Sequence, residues 1–210
     1  MIKEFFQSIA RWFSQTDLFN WFLAKVFPKI RFTLYYTSMR GWKYEQGYKL
    51  LKKGDIIVTR DDNKASTVII GGDWAHAGLC IGLSKDGDNY ECAEMTSKHF
   101  TWSHFSDMCF EADRVAIYRC TDWDQDYIEK VIAKCKTLKH AKYDNQFEGA
   151  DSELYCSEMV VVADYEKRLK VPKEHLEVIG MDYYSPTGLT QAENVELVWH
   201  SDNAIPPEKK

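Results

Sequence analysis

The sequence predicts an α+β protein in which an antiparallel β-sheet or barrel packs against helices, preceded by a helical extension. Three observations support this fold class. Apolar residues recur at helical spacing within residues 1–27, short alternating segments run from Gly54 to Cys120, and longer helical patterns follow. With 210 residues, 45% hydrophobic and 28% charged, the composition is that of a folded chain with one sizeable core and excludes a disordered or collagen-like chain.

Residues 1–50 are predicted to form an amphipathic helical extension. Apolar side chains between Phe5 and Phe13 share one helix face, and a second apolar stripe runs from Leu18 to Phe27. Neither stripe has the unbroken apolar core of a signal peptide or the length of a membrane span. We therefore expect a cytoplasmic protein, with residues 1–31 packed on the main domain or on a partner, or in peripheral contact with an anionic membrane surface.

Residues 51–202 are predicted to form the main domain, and residues 203–210 a flexible tail. The predicted strands are Asp55–Thr59, Ser66–Ile70, Ala77–Leu83, Tyr90–Met95, Arg114–Cys120 and Val195–His200. The sequence Lys85-Asp86-Gly87-Asp88-Asn89 is typical of a hairpin turn between the third and fourth of these strands. Asp124–Lys139 has one apolar face and predicts a helix, as does the segment from Cys156 to about Leu169.

Charge is unevenly distributed along the chain, which has 27 Lys or Arg and 32 Asp or Glu. Residues 1–53 carry ten of the basic residues and three of the acidic ones, so the remainder is strongly acidic. Nucleic-acid binding requires a basic face that neutralises phosphates. We therefore expect no nucleic-acid partner for the main domain.

Six cysteines raise the question of metal sites, disulfides or catalysis. They are Cys80, Cys92, Cys109, Cys120, Cys135 and Cys156. None belongs to a CxxC pair or a close Cys/His cluster, which disfavours a structural zinc site, and a disulfide framework is unusual in a chain of this size. We expect the first five to be small packing residues.

Cys156 differs from the other cysteines because it lies where a loop enters a helix. The free N–H groups and the dipole at a helix start favour an anion, so a thiol there loses its proton more readily. A thiol with a lowered pKa is a nucleophile at neutral pH. Local sequence alone leaves Cys156 open as either a nucleophile or a packing residue.

His76 is the best-placed partner for a thiolate. It follows the loop Gly71-Gly72-Asp73 and begins a strand with small neighbours, which leaves the imidazole accessible. The returning strand of the hairpin carries Glu91 and Glu94, and period-two alternation places these two carboxylates on opposite faces. One of them can therefore face His76 and orient its ring.

Several short motifs, taken together and in order, resemble the YiiX-like family of circularly permuted papain-like cysteine hydrolases, in the NlpC superfamily. The motifs are Gly54-Asp55-Ile56-Ile57, Trp74-Ala75-His76-Ala77-Gly78-Leu79, Ala93-Glu94, Tyr143-Asp144 with Phe147, Tyr155-Cys156-Ser157-Glu158-Met159-Val160, and the closing Tyr184-Ser185-Pro186-Thr187-Gly188-Leu189. The resemblance covers roughly residues 50–200. It implies a permuted papain-like fold, in which the histidine precedes the nucleophile along the chain.

The resemblance also implies a role for individual residues. Cys156 matches the nucleophile, His76 the general base, and Glu94 the residue that orients the imidazole, with Glu91 as a fallback. Tyr143 matches a tyrosine that lines the site and helps to hold the oxyanion, together with the backbone N–H of Cys156. No metal or organic cofactor is implied.

Three hypotheses of function follow. The leading hypothesis is a thiol hydrolase that cleaves an amide bond of a small peptide or amide through an acyl-enzyme. The second keeps the same site but assigns it an acyl-lipid substrate at a membrane surface, by hydrolysis or acyl transfer. The third is a binding protein on the same fold without catalytic activity.

Overall fold

An antiparallel sheet of six strands forms the centre of the protein. The computed structural model describes residues 41–64, 67, 70–144, 153–176 and 180–206, and isolated residues 16, 21, 26, 30 and 39. The six strands are β1 (Ile56–Arg60), β2 (His76–Leu83), β3 (Tyr90–Met95), β4 (Phe100–His104), β5 (Arg114–Cys120) and β10 (Val195–His200). The strand order is β10-β5-β1-β2-β3-β4, and each neighbouring pair is antiparallel.

The sheet is open. Within the described part of the chain its outer strands, β4 and β10, are not paired with each other, so no barrel closes. The predicted α+β class with an antiparallel sheet is therefore confirmed, and its barrel alternative is wrong. The remaining strands form two small ladders, a parallel pair β6 (Lys142–Tyr143) with β7 (Glu153–Leu154) and an antiparallel pair β8 (Glu174–Leu176) with β9 (Met181–Tyr183).

Five helices surround the sheet within the described residues. They are α1 (Trp42–Leu50), α2 (Phe105–Phe110), α3 (Gln125–Thr137), α4 (Cys156–Ala163) and α5 (Pro186–Thr190). The start of α3 is fixed by Asp124, whose carboxylate accepts a hydrogen bond of 2.8 Å from the backbone N–H of Tyr127. Single 3₁₀ turns follow α3 at Leu138–His140 and β10 at Ser201–Asn203.

Most of the predicted elements agree with the structure to within two residues, with three exceptions. The helix from Cys156 ends at Ala163, not near Leu169, because the buried Asp164 carboxylate accepts the N–H of Leu169 and turns the chain back. The predicted strand Ser66–Ile70 is wrong at its described residues, Thr67 and Ile70, which are helical. The elements that were not predicted are the edge strand β4, the helix α2 after it, the short strands β6 to β9 and the helix α5.

The sheet is covered on both faces. On one face, Ala77, Leu79 and Met95 pack against α3 and α4, and on the other face Cys80 and Cys92 pack against α2. Because side chains alternate along a strand, neighbouring residues of β2 belong to different apolar clusters. The five cysteines predicted to be packing residues are all buried in these two clusters.

Residues before the main domain also contribute to this core. Met39 is buried in the second apolar cluster, and α1 packs its Gly47 against the ring of Trp199 on β10, where an added Cβ would lie 3.0 Å from the ring. The two helices predicted within residues 1–27 lie largely outside the described residues, and the boundary at residue 50 stays a prediction. In the described part of the chain, every helix is too short or too polar to cross a membrane.

Candidate active site

The thiol of Cys156 lies at the first residue of α4 and is 5% exposed. The residue that caps this helix, Tyr155, makes no side-chain hydrogen bond to the first turn, so the cap itself does not occupy the backbone N–H groups there. Burial opposes ionisation of the thiol. Hydrogen bonding to His76, the charge of that ring, and the backbone N–H groups of Ala77 and Ser157 outweigh burial and lower the pKa of Cys156.

His76 is the first residue of β2, and its side chain is 29% exposed. Its Nε2 atom lies 2.6 Å from Oε2 of Glu94 on the neighbouring strand. Burial disfavours the charged ring, but hydrogen bonds and charge from Cys156 and Glu94 raise the pKa of His76 to about 10. Burial likewise opposes ionisation of Glu94, and the contact with His76 overcomes it and lowers the pKa of this carboxyl.

Strand register explains why Glu94 contacts His76. Glu94 pairs with Gly78, two residues beyond His76 on β2, so both side chains point to the same face. Gly78 has no side chain of its own, and Met108 packs against it, so that an added Cβ would lie 2.8 Å from the terminal methyl group of Met108. Glu91 lies three positions before Glu94 on β3 and pairs with Gly82, beyond a bulge and away from the imidazole. The structure thus brings Glu94, not Glu91, to His76.

Tyr143 reaches the site through the parallel ladder that precedes α4. It pairs with Leu154, and the N–H of Asp144 donates a 3.1 Å hydrogen bond to the carbonyl of Leu154. This ladder fixes Tyr143 beside the start of the helix. Burial, then the negative charges of Cys156 and Asp144, raise the pKa of Tyr143 above its ordinary value, so the phenol stays protonated and able to donate.

Aromatic side chains form the wall of the site behind the thiol. Tyr155, Leu176 and Tyr183 make a small buried cluster, against which Tyr143 packs. Burial, together with the charges of Glu174 and Cys156, raises the pKa of Tyr183 to about 12. The buried Cys156 therefore lies close to buried aromatic side chains whose hydroxyl groups stay protonated.

The opposed shifts at Cys156 and His76 favour a thiolate beside an imidazolium. Two titratable groups whose pKa values are pushed apart in this way can serve as nucleophile and as proton donor and acceptor. The chemistry available to this pair is attack by sulfur on an electrophilic carbon, with the ring transferring a proton. Among the described residues, no three His, Cys, Asp or Glu side chains are grouped so as to hold a metal ion.

The sequence predicted the acidic, basic and thiol residues of the site, but not the hydrogen bonds between the elements that carry them. Ser157 donates a hydrogen bond of 2.6 Å to the carbonyl of Tyr184, and Thr187 accepts one of 3.0 Å from the backbone N–H of Trp74. The available sequence signal was Ser185-Pro186, a serine cap followed by proline at a helix start. That signal identifies α5 but not its partners.

Comparison with known proteins identifies the family of this arrangement. Residues 50–203 match the family model of the permuted papain-like amidase enzymes, YaeF/YiiX, family C92. Two solved chains also match, one of which is a crystal structure of the metalloprotein YiiX from Escherichia coli O157:H7. That likeness has 17% sequence identity and a TM-score of 0.57, and covers 70% of this chain and 96% of that one. A comparison with curated proteins finds no match.

Proposed function

The chain belongs to the YaeF/YiiX family of permuted papain-like amidases, as its motifs predict, and on that premise we propose that it is a cysteine hydrolase of amide bonds. The observation that carries the proposal is the continuous contact from Glu94 through His76 to Cys156, with opposed pKa shifts at the thiol and the imidazole. A packing cysteine has no need of an ionised partner.

The proposed reaction begins with attack of the Cys156 thiolate on the carbonyl carbon of the substrate. The C–N bond then breaks as the His76 imidazolium gives its proton to the leaving amine, which leaves an acyl thioester on Cys156. The neutral imidazole next takes a proton from water, and the resulting hydroxide displaces the sulfur. The carboxylic acid departs, and the thiolate and imidazolium are restored.

Two donors are proposed for the oxyanion that forms during each attack. The backbone N–H of Cys156 is at a helix start without a side-chain cap, and the protonated Tyr143 phenol lies beside the thiol. Fixed donors of this kind contribute about 3 kcal/mol each to lowering the barrier of acyl transfer. Glu94 acts through His76 by orienting the ring and stabilising its charge.

The structural neighbour is described as a metalloprotein, which raises the question of a metal in this chain. The described residues do not fit one, because they contain no cluster of three metal-ligating side chains. The proposed reaction therefore uses the side chains of this chain alone.

The substrate class we propose is a small peptide or amide. An acyl-lipid substrate at a membrane surface remains the alternative that the aromatic and basic residues 1–31 predict. A binding protein without turnover is the third, and the same experiment addresses it.

Two reagents test the mechanism without knowledge of the natural substrate. Iodoacetamide alkylates a thiolate directly, whereas p-nitrophenyl acetate must pass through an oxyanion to acylate it. We expect both reagents to modify Cys156 selectively, and p-nitrophenol release to continue beyond one equivalent as the acyl-enzyme hydrolyses. Cys156→Ala abolishes both reactions, and His76→Ala slows both by at least about tenfold. Tyr143→Phe slows acylation by about 100-fold and leaves alkylation unchanged.

Matched controls come from the same chain. Cys120 is as buried as Cys156, so Cys120→Ala is expected to keep both reactions. His175 forms a 2.9 Å pair with Asp182 on the exposed side of the β8–β9 ladder, so His175→Asn is expected to be neutral. Equal labelling of several cysteines, or a single equivalent of p-nitrophenol without turnover, would contradict the proposed hydrolase.

A further inference from the structure

A short buried segment near the end of the main domain contacts both halves of the site. It comprises Tyr183–Thr187, which we call the bridging segment, and it links β9 to α5. Its conformation is restrained, because Ser185 accepts a 2.6 Å hydrogen bond from the N–H of Gly188 and Pro186 begins the helix. Tyr183, Ser185 and Thr187 are all buried.

One end of the bridging segment is held by the two neighbours of the nucleophile. The phenol of Tyr155 accepts a 2.9 Å hydrogen bond from the N–H of Tyr184. The hydroxyl of Ser157 donates a hydrogen bond of 2.6 Å to the carbonyl of Tyr184. The residues immediately before and after Cys156 therefore both bind the backbone of Tyr184. A rotation or shift of the first turn of α4 would break both hydrogen bonds.

The other end is held by the loop that leads to His76. The Thr187 hydroxyl accepts a 3.0 Å hydrogen bond from the N–H of Trp74 and approaches its carbonyl at 3.5 Å. Gly72, at φ 67°, packs so closely on Thr187 that an added Cβ would lie 2.5 Å from the hydroxyl oxygen. Tyr183 adds a 3.2 Å hydrogen bond to the carbonyl of Ile70.

We propose that the bridging segment sets the position of the Cys156 helix relative to the His76 strand, and that Thr187 is the positioning residue. This inference rests on the proposed function, since the separation it sets is that of the nucleophile and its base. His76 and Glu94 are already fixed by neighbouring strands. Cys156 comes from a separate helix, and the bridging segment joins that helix to the loop before His76 by hydrogen bonds at both ends.

Loss of this connection is expected to destabilise the thiolate of Cys156. The imidazolium stabilises the thiolate through a hydrogen bond and through charge, and both weaken as the distance grows. Thr187→Val keeps the shape of the side chain that packs on Gly72 but removes the acceptor of the buried Trp74 N–H. An unsatisfied buried N–H drives a local shift of the loop. The thiol then returns towards its ordinary pKa.

The test is the pH dependence of iodoacetamide alkylation at Cys156, followed by mass spectrometry of the labelled peptide. We expect Thr187→Val to move the profile to higher pH and to slow alkylation about tenfold at slightly acidic pH. Thr187→Ser, which keeps the hydroxyl, is expected to restore the wild-type profile. Thr190→Val is the matched control, since this threonine on α5 donates its hydroxyl to the carbonyl of Thr187 and not to the loop.

The outcomes separate this proposal from the proposed function. A wild-type profile with the pKa of an ordinary thiol would contradict the proposed function and the bridging role together. A low pKa that persists in folded Thr187→Val, as judged by circular dichroism, would contradict the bridging role alone. If Thr187→Val does not fold, Ser157→Ala removes one of the two hydrogen bonds that hold the other end while keeping the backbone N–H, and a shift in the same direction is expected. An unshifted profile in that variant would overturn the proposal.

Discussion

His76 and Glu94 form a short contact in the site, with 2.6 Å between Nε2 and Oε2. Both residues lie on neighbouring strands whose register the sheet fixes, and both side chains are mostly shielded from water. The carboxylate therefore acts on the ring at short range and in a poorly screened environment. Its effect extends to Cys156, because an imidazolium that is easier to form is a better partner for a thiolate.

Glu94→Gln tests this coupling. Loss of the carboxylate charge lowers the pKa of His76 from its raised value of about 10, and the less stable imidazolium raises the pKa of the Cys156 thiol. The thiolate is present above the pKa of the thiol and is lost as the pH falls through it. We therefore expect alkylation of Cys156 to be lost at a higher pH in this variant, with a rate about tenfold lower at slightly acidic pH.

Glu91→Gln is the control for this prediction, since Glu91 lies on the same strand but pairs beyond the bulge at Gly82. We expect its profile to match that of the wild type. A shift in Glu91→Gln and none in Glu94→Gln would mean that the other glutamate orients the ring in solution.

Local sequence distinguishes Cys156 from the other cysteines by its place at a helix start, but it leaves open whether this thiol is a nucleophile or a packing residue. Burial alone raises the pKa of Cys109, and burial is also the main cause that raises the pKa of Cys120 to about 11 and that of Cys135 to about 12. These thiols lie within apolar patterns, which predict burial. The start of a helix after Tyr155 is visible in the sequence as well. The partner of the thiol is not, because His76 is distant along the chain.

At the scale of elements, an ion pair between Asp55 and Arg119 links the turn before β1 to β5. Asp55 accepts hydrogen bonds of 2.7 Å from Nε and Nη2 of Arg119 on β5, and from the N–H of Lys52. Its side chain is 1% exposed. Burial raises the pKa of Asp55 against the opposing effect of Arg119. The Gly54-Asp55 motif thus serves the structure of the sheet, with Gly54 at φ 88° packed on Ile128.

Arg119→Ala is expected to destabilise the protein by about 3 kcal/mol, because it leaves the buried Asp55 carboxylate without its charged partner. Urea unfolding followed by circular dichroism measures this change. The double variant with Asp55→Ala is expected to lose less than the sum of the single variants.

Arg114→Ala provides the comparison, since Arg114 is on the same strand and pairs with Asp62, whose side chain is half-exposed. A surface pair of this kind contributes at most about 1 kcal/mol. Equal losses in Arg114→Ala and Arg119→Ala would show that burial of Asp55 does not govern the energy of the pair.

How well an element could be predicted depended on its place in the sheet. β1, β2, β3 and β5 are buried on both faces or alternate clearly, and their bounds agree with the sequence patterns to within one residue. β4 is an edge strand in which Phe100 is buried while Trp102 is exposed, so its pattern mixes aromatic and polar residues without a clear period. The end of α4 depends on the Asp164 side chain, a tertiary contact that no periodicity records.

At the scale of the whole molecule, the family match begins at residue 50, while the packed structure begins earlier. α1 and Met39 bury apolar surface against the same core as the sheet. The role of residues 1–31 is therefore a question separate from that of α1. Any truncation that tests it has to retain α1, since Gly47 packs directly on Trp199.

Sedimentation with lipid vesicles tests the predicted membrane contact. If residues 1–31 lie on an anionic surface, the full chain is expected to sediment with phosphatidylglycerol vesicles and to be released by high salt. A chain that begins at residue 32 is expected to stay in the supernatant. Phosphatidylcholine vesicles serve as the control for charge. Equal binding by both chains would remove the reason for an acyl-lipid substrate.

The candidate site could be predicted in its residues but not in its assembly. Cys156, His76, Glu94 and Tyr143 come from motifs that the sequence displays, and the structure brings them together. The contact between Thr187 and Trp74 spans 113 positions, so no local pattern connects the two residues. Such contacts depend on the final packing of the sheet, α4 and α5.

The long sequence separation between Thr187 and Trp74 has a consequence for protein synthesis. The pair of His76 and Glu94 spans 18 positions and can form as soon as one hairpin has emerged from the ribosome. The segment that aligns Cys156 with this pair is translated about thirty residues after the thiol itself. If the bridging segment positions Cys156 as proposed, a nascent chain is expected to carry Cys156 as an ordinary, weakly reactive cysteine until Thr187 and the later strand β10 have been translated and packed.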